Sequence, residues 1–204
     1  MSDDGDEMGT ESTSVKALKK HGNEPLTIAD LGALEKEFVG ASDRALVILW
    51  ASMVDEQIRR AIPKRMRQDI SKTMLDKVIG DKGPFTTFSS KILVGYAFGV
   101  FGRVTYHDLE IIRALRNQFA HSRKPLSFDT PEVRKACETL QIPDMDAFKV
   151  PPGIVTPPRK GYRDIDRKKP QIRFAVACHT INLHLYEVYE RPLPEPGRAA
   201  QLLP

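Results

Sequence analysis

Asp108-Leu109-Glu110-Ile111-Ile112-Arg113-Ala114-Leu115-Arg116-Asn117-Gln118-Phe119-Ala120-His121, closed by Ser122-Arg123-Lys124-Pro125, is the stretch that decides the fold. Leu109, Ile112, Leu115 and Phe119 recur at helical spacing, which predicts an amphipathic helix. Thr105 is placed to cap it, with Asp108 three residues on as in a capping box, and Pro125 stops it. At ~100° per residue, Arg116 falls about 40° from Ile112, inside the apolar arc, and His121 falls on roughly the opposite side. An arginine on such an arc needs a partner. Arg116 and His121 meet only if the helix end unwinds near Ala120 or a second chain completes the site.

Working outward, the same periodicity recurs through the chain. Thr27, with Asp30 following, starts a helix carrying Leu31, Leu34 and Phe38, and Gly40 ends it. Ser42 caps the next, which runs through Leu46, Leu49, Trp50, Met53, Val54 and Ile58 to Ile62 before Pro63. Its first half is apolar nearly all round, which marks a central helix. Asp55 with Arg59 and Glu56 with Arg60 are spaced i,i+4. They read as weak ion pairs on a solvated face rather than as an acid–base site. A shorter helix is expected over 64–80. The break Gly80-Asp81-Lys82-Gly83-Pro84 is a turn, because a phosphate loop needs a preceding strand and a Gly-Lys-Ser/Thr ending. A helix over 87–102 follows, with Gly95 and Gly99 spaced to admit another helix closely. Thr130 and Pro131 start a helix reaching about Leu140. In the last, over 171–190, Phe174, Cys178, Ile181, Leu185 and Val188 step by four, three, four and three, a bundle seam.

The fold class is therefore all-α: a compact bundle of about six to seven helices with one long Pro-rich basic loop. Residues 1–24 and 191–204 are too poor in apolar side chains to offset their ordering entropy and are expected to be disordered tails. The segments 25–142 and 171–190 form one bundle. The segment 143–170 is the loop, with six prolines and few apolar residues.

Length and charge narrow the function. The 204 residues suffice for one domain with a real core, and the net charge of +4 is modest. Most of the positive excess sits at Arg159, Lys160, Arg163, Arg167, Lys168, Lys169 and Arg173, so this run is a candidate RNA or DNA contact. Cys137 and Cys178 fit neither a metal spacing nor a disulfide framework, and the acidic N-terminus lacks a signal-peptide core. A cytoplasmic protein is expected. The longest apolar run, 45–54, is about half a membrane span, so no membrane partner is expected. His21, His107, His179 and His184 show no ligand spacing. No metal and no cofactor are expected.

Two readings of the central motif remain open. In one, His121 takes a proton from a ribose 2′-hydroxyl, Arg116 stabilises charge on phosphorus and Asn117 orients either group, giving metal-free phosphodiester cleavage. In the other, Arg116 pairs with a buried carboxylate or with carbonyls, while Asn117 and His121 satisfy the helix end.

At these residues the chain resembles the mannitol operon repressor (MltR) family. The resemblance is carried by Ser42-Asp43-Arg44-Ala45, the apolar helix with Asp55-Glu56, Gly83 to Lys91, Asp108-Leu109 with Ile112-Arg113, Arg116 to His121, and Ser127-Phe128-Asp129. It implies a regulatory protein. No segment has the exposed polar recognition helix of a DNA reader, so action through a protein partner is expected. The Arg-four-His pattern also resembles HEPN domains, helical bundles that are often dimeric. Some of these are ribonucleases using that Arg and His. This resemblance implies a homodimer and, as the rival function, a HEPN-type ribonuclease with Arg116 and His121 catalytic.

Overall fold

The structure is a computed structural model that describes residues 41–145 except 68 and 81, residue 166, residues 168–190, and the isolated positions 30, 33, 38 and 40. The expected tails, 1–24 and 191–204, and most of the Pro-rich basic loop lie outside the described residues. So does most of the first expected helix, of which Gly40 is seen with a φ of 85°, as suits a helix end. The chain divides into two units, Met1–Ala41 and Ser42–Pro204, and the bundle described below is the second.

Six α-helices and two 3₁₀ turns make up the described bundle, and no strand occurs among the described residues. Helix α1, Asp43–Ala61, starts where expected: the Ser42 hydroxyl accepts the Ala45 N–H at 3.2 Å. It buries Val47, Trp50, Val54, Ile58 and Ala61 and packs against three other helices, which makes it the central element. Pro63 then tightens the chain into a 3₁₀ turn, Ile62–Arg65, so the helix expected from residue 64 begins later. Helix α2 is Lys72–Ile79, with the Ser71 hydroxyl accepting the Met74 N–H.

The Gly-rich break is the expected turn. The Thr86 hydroxyl donates to the carbonyls of Gly80 and Gly83, and a Cβ at Gly80 or Gly83 would strike backbone. Helix α3, Phe88–Ala97, stops short of residue 102. There Gly99 takes a φ of 66° and the Val100 N–H reaches the Gly95 carbonyl at 2.8 Å. At Gly95 helix α1 does come close, Ile58 lying 3.6 Å from where a Cβ would stand, but an aromatic ring lies nearer. The Phe101 ring of the same chain fills the space over Gly95, with its nearest atom 2.6 Å from where a Cβ would stand. Gly99 has nothing close by and serves as a cap.

Helix α4, Arg103–His121, starts two residues before Thr105, on Gly102, with no side-chain cap. Thr105 is buried within its first turn and Asp108 points to a distant segment, so no capping box forms. Helix α5, Pro131–Glu138, leads into a second 3₁₀ turn, Ile142–Asp144. Helix α6, Pro170–Glu190, buries Phe174, Cys178, Ile181 and Leu185 completely, as the seam predicts. Trp50 meets His179 edge-on at 6.1 Å and Lys64 lies 4.7 Å over the Tyr189 ring, so α6 runs beside α1 in the same direction. The rings of Phe119, Phe128 and Phe174 form a chain at 6.0 and 5.8 Å, joining α4, the loop before α5, and α6.

Candidate functional site

Helix α4 stays regular to its end: the Ser122 N–H still reaches the Gln118 carbonyl at 2.9 Å. No unwinding near Ala120 therefore brings Arg116 and His121 together within one chain. Arg116 is half-buried and donates to Asn117 Oδ1 at 3.1 Å, whereas His121 is exposed. Phe119 between them is fully buried, as its place on the apolar arc requires.

What Arg116 does approach is a carboxylate. Asp55 of α1 pairs with Lys91 of α3 at 2.6 Å, and Lys91 is only 5% exposed, so an ammonium sits almost wholly inside the protein. Burial raises the Asp55 pKa above its ordinary value. The Lys91 hydrogen bond and charge oppose that shift, and the nearby Arg116 charge adds to the opposition. Asp55 and Lys91 thus tie α1 to α3 through a largely buried ion pair, on which the Arg116 charge of α4 also acts.

Of the surface pairs expected on α1, Glu56 with Arg60 forms and the other is replaced. Asp55 turns to Lys91 instead of Arg59. Glu56 takes both arginines, accepting from Arg59 Nε and Nη2 at 2.7 and 2.6 Å and from Arg60 Nε at 2.7 Å. Burial alone would raise Glu56, but these bonds hold its pKa below the ordinary value.

Other residues singled out by sequence are spent on the backbone. Asp108 is fully buried and accepts the N–H groups of Gln141 at 2.9 Å and Ile142 at 2.8 Å, with His107 Nδ1 at 3.0 Å. Asp43 accepts the Phe128 N–H at 2.8 Å, and Arg44 donates to the Ser122 carbonyl at 3.1 Å. Asp43, Asp55, Lys91, Asp108 and Phe128 all belong to the stretches that carry the family resemblance, and each joins segments far apart in sequence. The role of Lys91 was hidden in sequence, because Ser89-Ser90-Lys91 reads as an ordinary polar turn of helix.

The basic run separates into different fates. Arg159, Lys160, Arg163 and Arg167 lie outside the described residues. Lys168 and Lys169 are exposed just before α6. Arg173 corrects the sequence grouping: it is 8% exposed, because its guanidinium donates to the Cys137 carbonyl at 2.9 Å, the Leu140 carbonyl at 2.5 Å and the Asp144 carboxylate at 2.7 and 2.6 Å. It binds the chain's own carbonyls at the end of α5 instead of facing a ligand.

Among the described residues no group of His, Cys, Asp or Glu is arranged to hold a metal ion, and no helix is long and apolar enough to cross a membrane. Cys137 and Cys178 are buried free thiols. Burial pushes Cys137 up to about 12 and Cys178 well above its ordinary value, so neither is a nucleophile at neutral pH.

No family model matches the chain. Over 102 residues, 49% of the chain, it is 24% identical to the mannitol operon repressor of Escherichia coli (strain K12), with the same figures for the protein of that name from strain O6:H1. The chain spans about half the length of these curated relatives, 52% of each. Among solved structures it is similar to the X-ray structure of the MtlR–HPr complex from Escherichia coli, with a TM-score of 0.54 and 20% identity. The match covers 76% of this chain and 95% of that one. The all-α bundle assembled above is thus a fold shared with that structure.

Proposed function

We propose that this chain is a regulatory, protein-binding helical bundle of the mannitol-operon-repressor type, acting through a protein partner and not by reading DNA or cleaving RNA. One observation carries the reading. Among the described residues the constellation that the sequence singles out, Arg116 and His121, is split by an unbroken helix within one chain, and Arg116 donates to Asn117 while its charge also acts on Asp55. Asp43, Asp55, Lys91, Asp108 and Phe128, from the stretches that resemble the family, work as internal ties, which suits a scaffold that presents a surface. Support for a protein partner comes from the similar solved structure, which is a complex of MtlR with HPr. An HPr-type protein is accordingly the partner we favour.

Calorimetric titration of the full chain with Escherichia coli HPr tests this reading, with saturable binding as the expected result. Incubation with RNA in the presence of a chelator is the companion measurement, with no cleavage expected. Cleavage leaving 2′,3′-cyclic phosphate ends, abolished by His121→Ala without unfolding, would replace the regulatory reading with the HEPN-type ribonuclease.

A further inference from the structure

Gln57 of α1, Thr105 of α4 and Asn182 of α6 are polar side chains sealed inside the bundle, at 1%, 1% and 0% exposure. Asn182 has no hydrogen-bond partner on either Oδ1 or Nδ2, Gln57 none on Nε2 and Thr105 none on Oγ1. A buried polar atom without a partner costs its full desolvation.

The three belong to one layer of the core. Trp50 against His179 and Lys64 against Tyr189 mark the sides of α1 and α6 that face each other. At ~100° per residue, Gln57 lies about 20° from Trp50 and Asn182 about 20° from Tyr189, so both look into that seam, between its two contacts. Helix α4 runs the opposite way to α6. Phe119, near the end of α4, reaches Phe174, near the start of α6, through the Phe128 ring, and farther back the Asp108 charge acts on the Cys178 thiol. One turn beyond Asp108 and Cys178, in opposite chain directions, stand Thr105 and Asn182. Gln57 reaches the same level, since its neighbour Ile58 lies beside Gly95 with the Phe101 ring, just before α4 begins.

Asn182 also divides α6 into unequal halves. Before it, Phe174, Ala177, Cys178 and Ile181 are fully buried, and Arg173 clasps the carbonyls of Cys137 and Leu140. Among residues 183–190, Leu185 alone is buried. His184 in that half adds an Nε2 without a partner, and Arg65 of the 3₁₀ turn, whose charge acts on His184, adds an Nε. Water satisfies these atoms once that half leaves the bundle, and its apolar side chains give up less burial than those of the first half would. We infer that the Gln57–Thr105–Asn182 layer is a release point: the half of α6 after Asn182 lifts from α1 as a unit while the half before it stays seated, a conformational device built into the bundle. Lifting uncovers the α1 surface around Gln57 and Ala61, and it does not depend on which protein the bundle binds.

Hydrogen exchange of the full chain, followed residue by residue by NMR at neutral pH and corrected for intrinsic rates, tests this. The amides of 183–190 should exchange roughly tenfold or more faster than those of 174–181, with a step at Asn182 and not a gradual rise toward Glu190. Asn182→Leu removes two unpartnered atoms at similar volume and should slow exchange after residue 182 by roughly tenfold, narrowing the step. Gln57→Met should act in the same direction from the other helix. A gradual rise without a step overturns the proposal. So does a step that neither substitution changes, or a slowing spread evenly over both halves of α6. Circular dichroism checks folding: if one variant unfolds, the other decides, and if both unfold, the layer needs its polar groups and the proposal fails.

Discussion

Replacing Arg173 by Met separates the two roles open to this residue. Methionine follows the aliphatic stem of arginine closely enough to leave little void, so the change isolates the guanidinium. Its loss strips donors from the carbonyls of Cys137 and Leu140, both in the buried region where α5 ends, and from the Asp144 carboxylate. The ion pair itself contributes little, because the Asp144 side chain is 64% exposed and water replaces its partner. The Cys137 carbonyl keeps the Leu140 N–H at 3.3 Å, so the buried Leu140 carbonyl dominates: an acceptor left unsatisfied costs about 1–3 kcal/mol, and a loss of that size is expected. At ~2–4 °C per kcal/mol for a domain of this size, the melting temperature falls by about 2–12 °C. Differential scanning calorimetry measures it, and urea unfolding with an unchanged m-value identifies the loss as stability. If the melting temperature moved by less than about 2 °C while affinity for RNA or DNA dropped, the inward assignment of Arg173 would be refuted and the residue would return to the basic run.

Asp108→Asn removes the charge from a carboxylate that accepts two buried N–H groups and offers an amide donor in its place. A loss of about 2–3 kcal/mol in chemical unfolding is expected. Lys91→Met leaves Asp55 partly buried without its partner and should cost about 3 kcal/mol, while Lys91→Met with Asp55→Leu should cost less than the sum of the single changes in a double-mutant cycle. His184 is held neutral by burial, helped by the nearby Arg65 charge, with its pKa lowered to about 4. The unfolded chain binds a proton there near pH 6.5 and the folded chain does not. That stabilisation is fully present above about pH 6.5 and is lost as pH falls toward 4, by up to about 3 kcal/mol. Urea midpoints at pH 7.5 and pH 5 measure the slope, and His184→Leu should flatten it.

The sequence was informative wherever the determinant was local. The Phe174, Cys178, Ile181, Leu185 spacing located α6 to within one residue, and Ser42 and Pro63 bracketed α1 because a cap and a missing N–H act on their own helix. The α4 start was misread because Thr105 and Asp108 form a capping box only when nothing else competes. Here Asp108 satisfies backbone donors more than thirty residues away, a demand no local pattern displays. Arg173 was grouped with the basic loop by composition, yet the helix beginning at Pro170 turns its side chain inward. Asp55 looked like half of a surface pair, since the buried Lys91 that claims it sits in another helix. The split between Arg116 and His121 was visible from helical angles alone, whereas the carboxylate near Arg116 was not.

Residues 122–145 are tied to the helices around them at several points through the main chain, beside the buried side chains of Phe128, Val133, Cys137, Leu140 and Ile142. Asp43 holds the Phe128 N–H, Asp108 holds the N–H groups of Gln141 and Ile142, and Arg173 holds the carbonyls of Cys137 and Leu140. Main-chain atoms are common to nearly every residue type, so these ties do not inspect the side chains of the residues they hold, whereas the buried Phe128, Val133, Cys137 and Leu140 are selected by packing. Outward positions of α5, such as Glu132, Arg134 and Lys135, are therefore free to drift without loosening the bundle. Proline is the substitution barred at Phe128, Gln141 and Ile142, because each donates its own N–H to such a tie. Descendants of this fold would diverge fastest on the outward face of a helix whose ends their neighbours hold firmly.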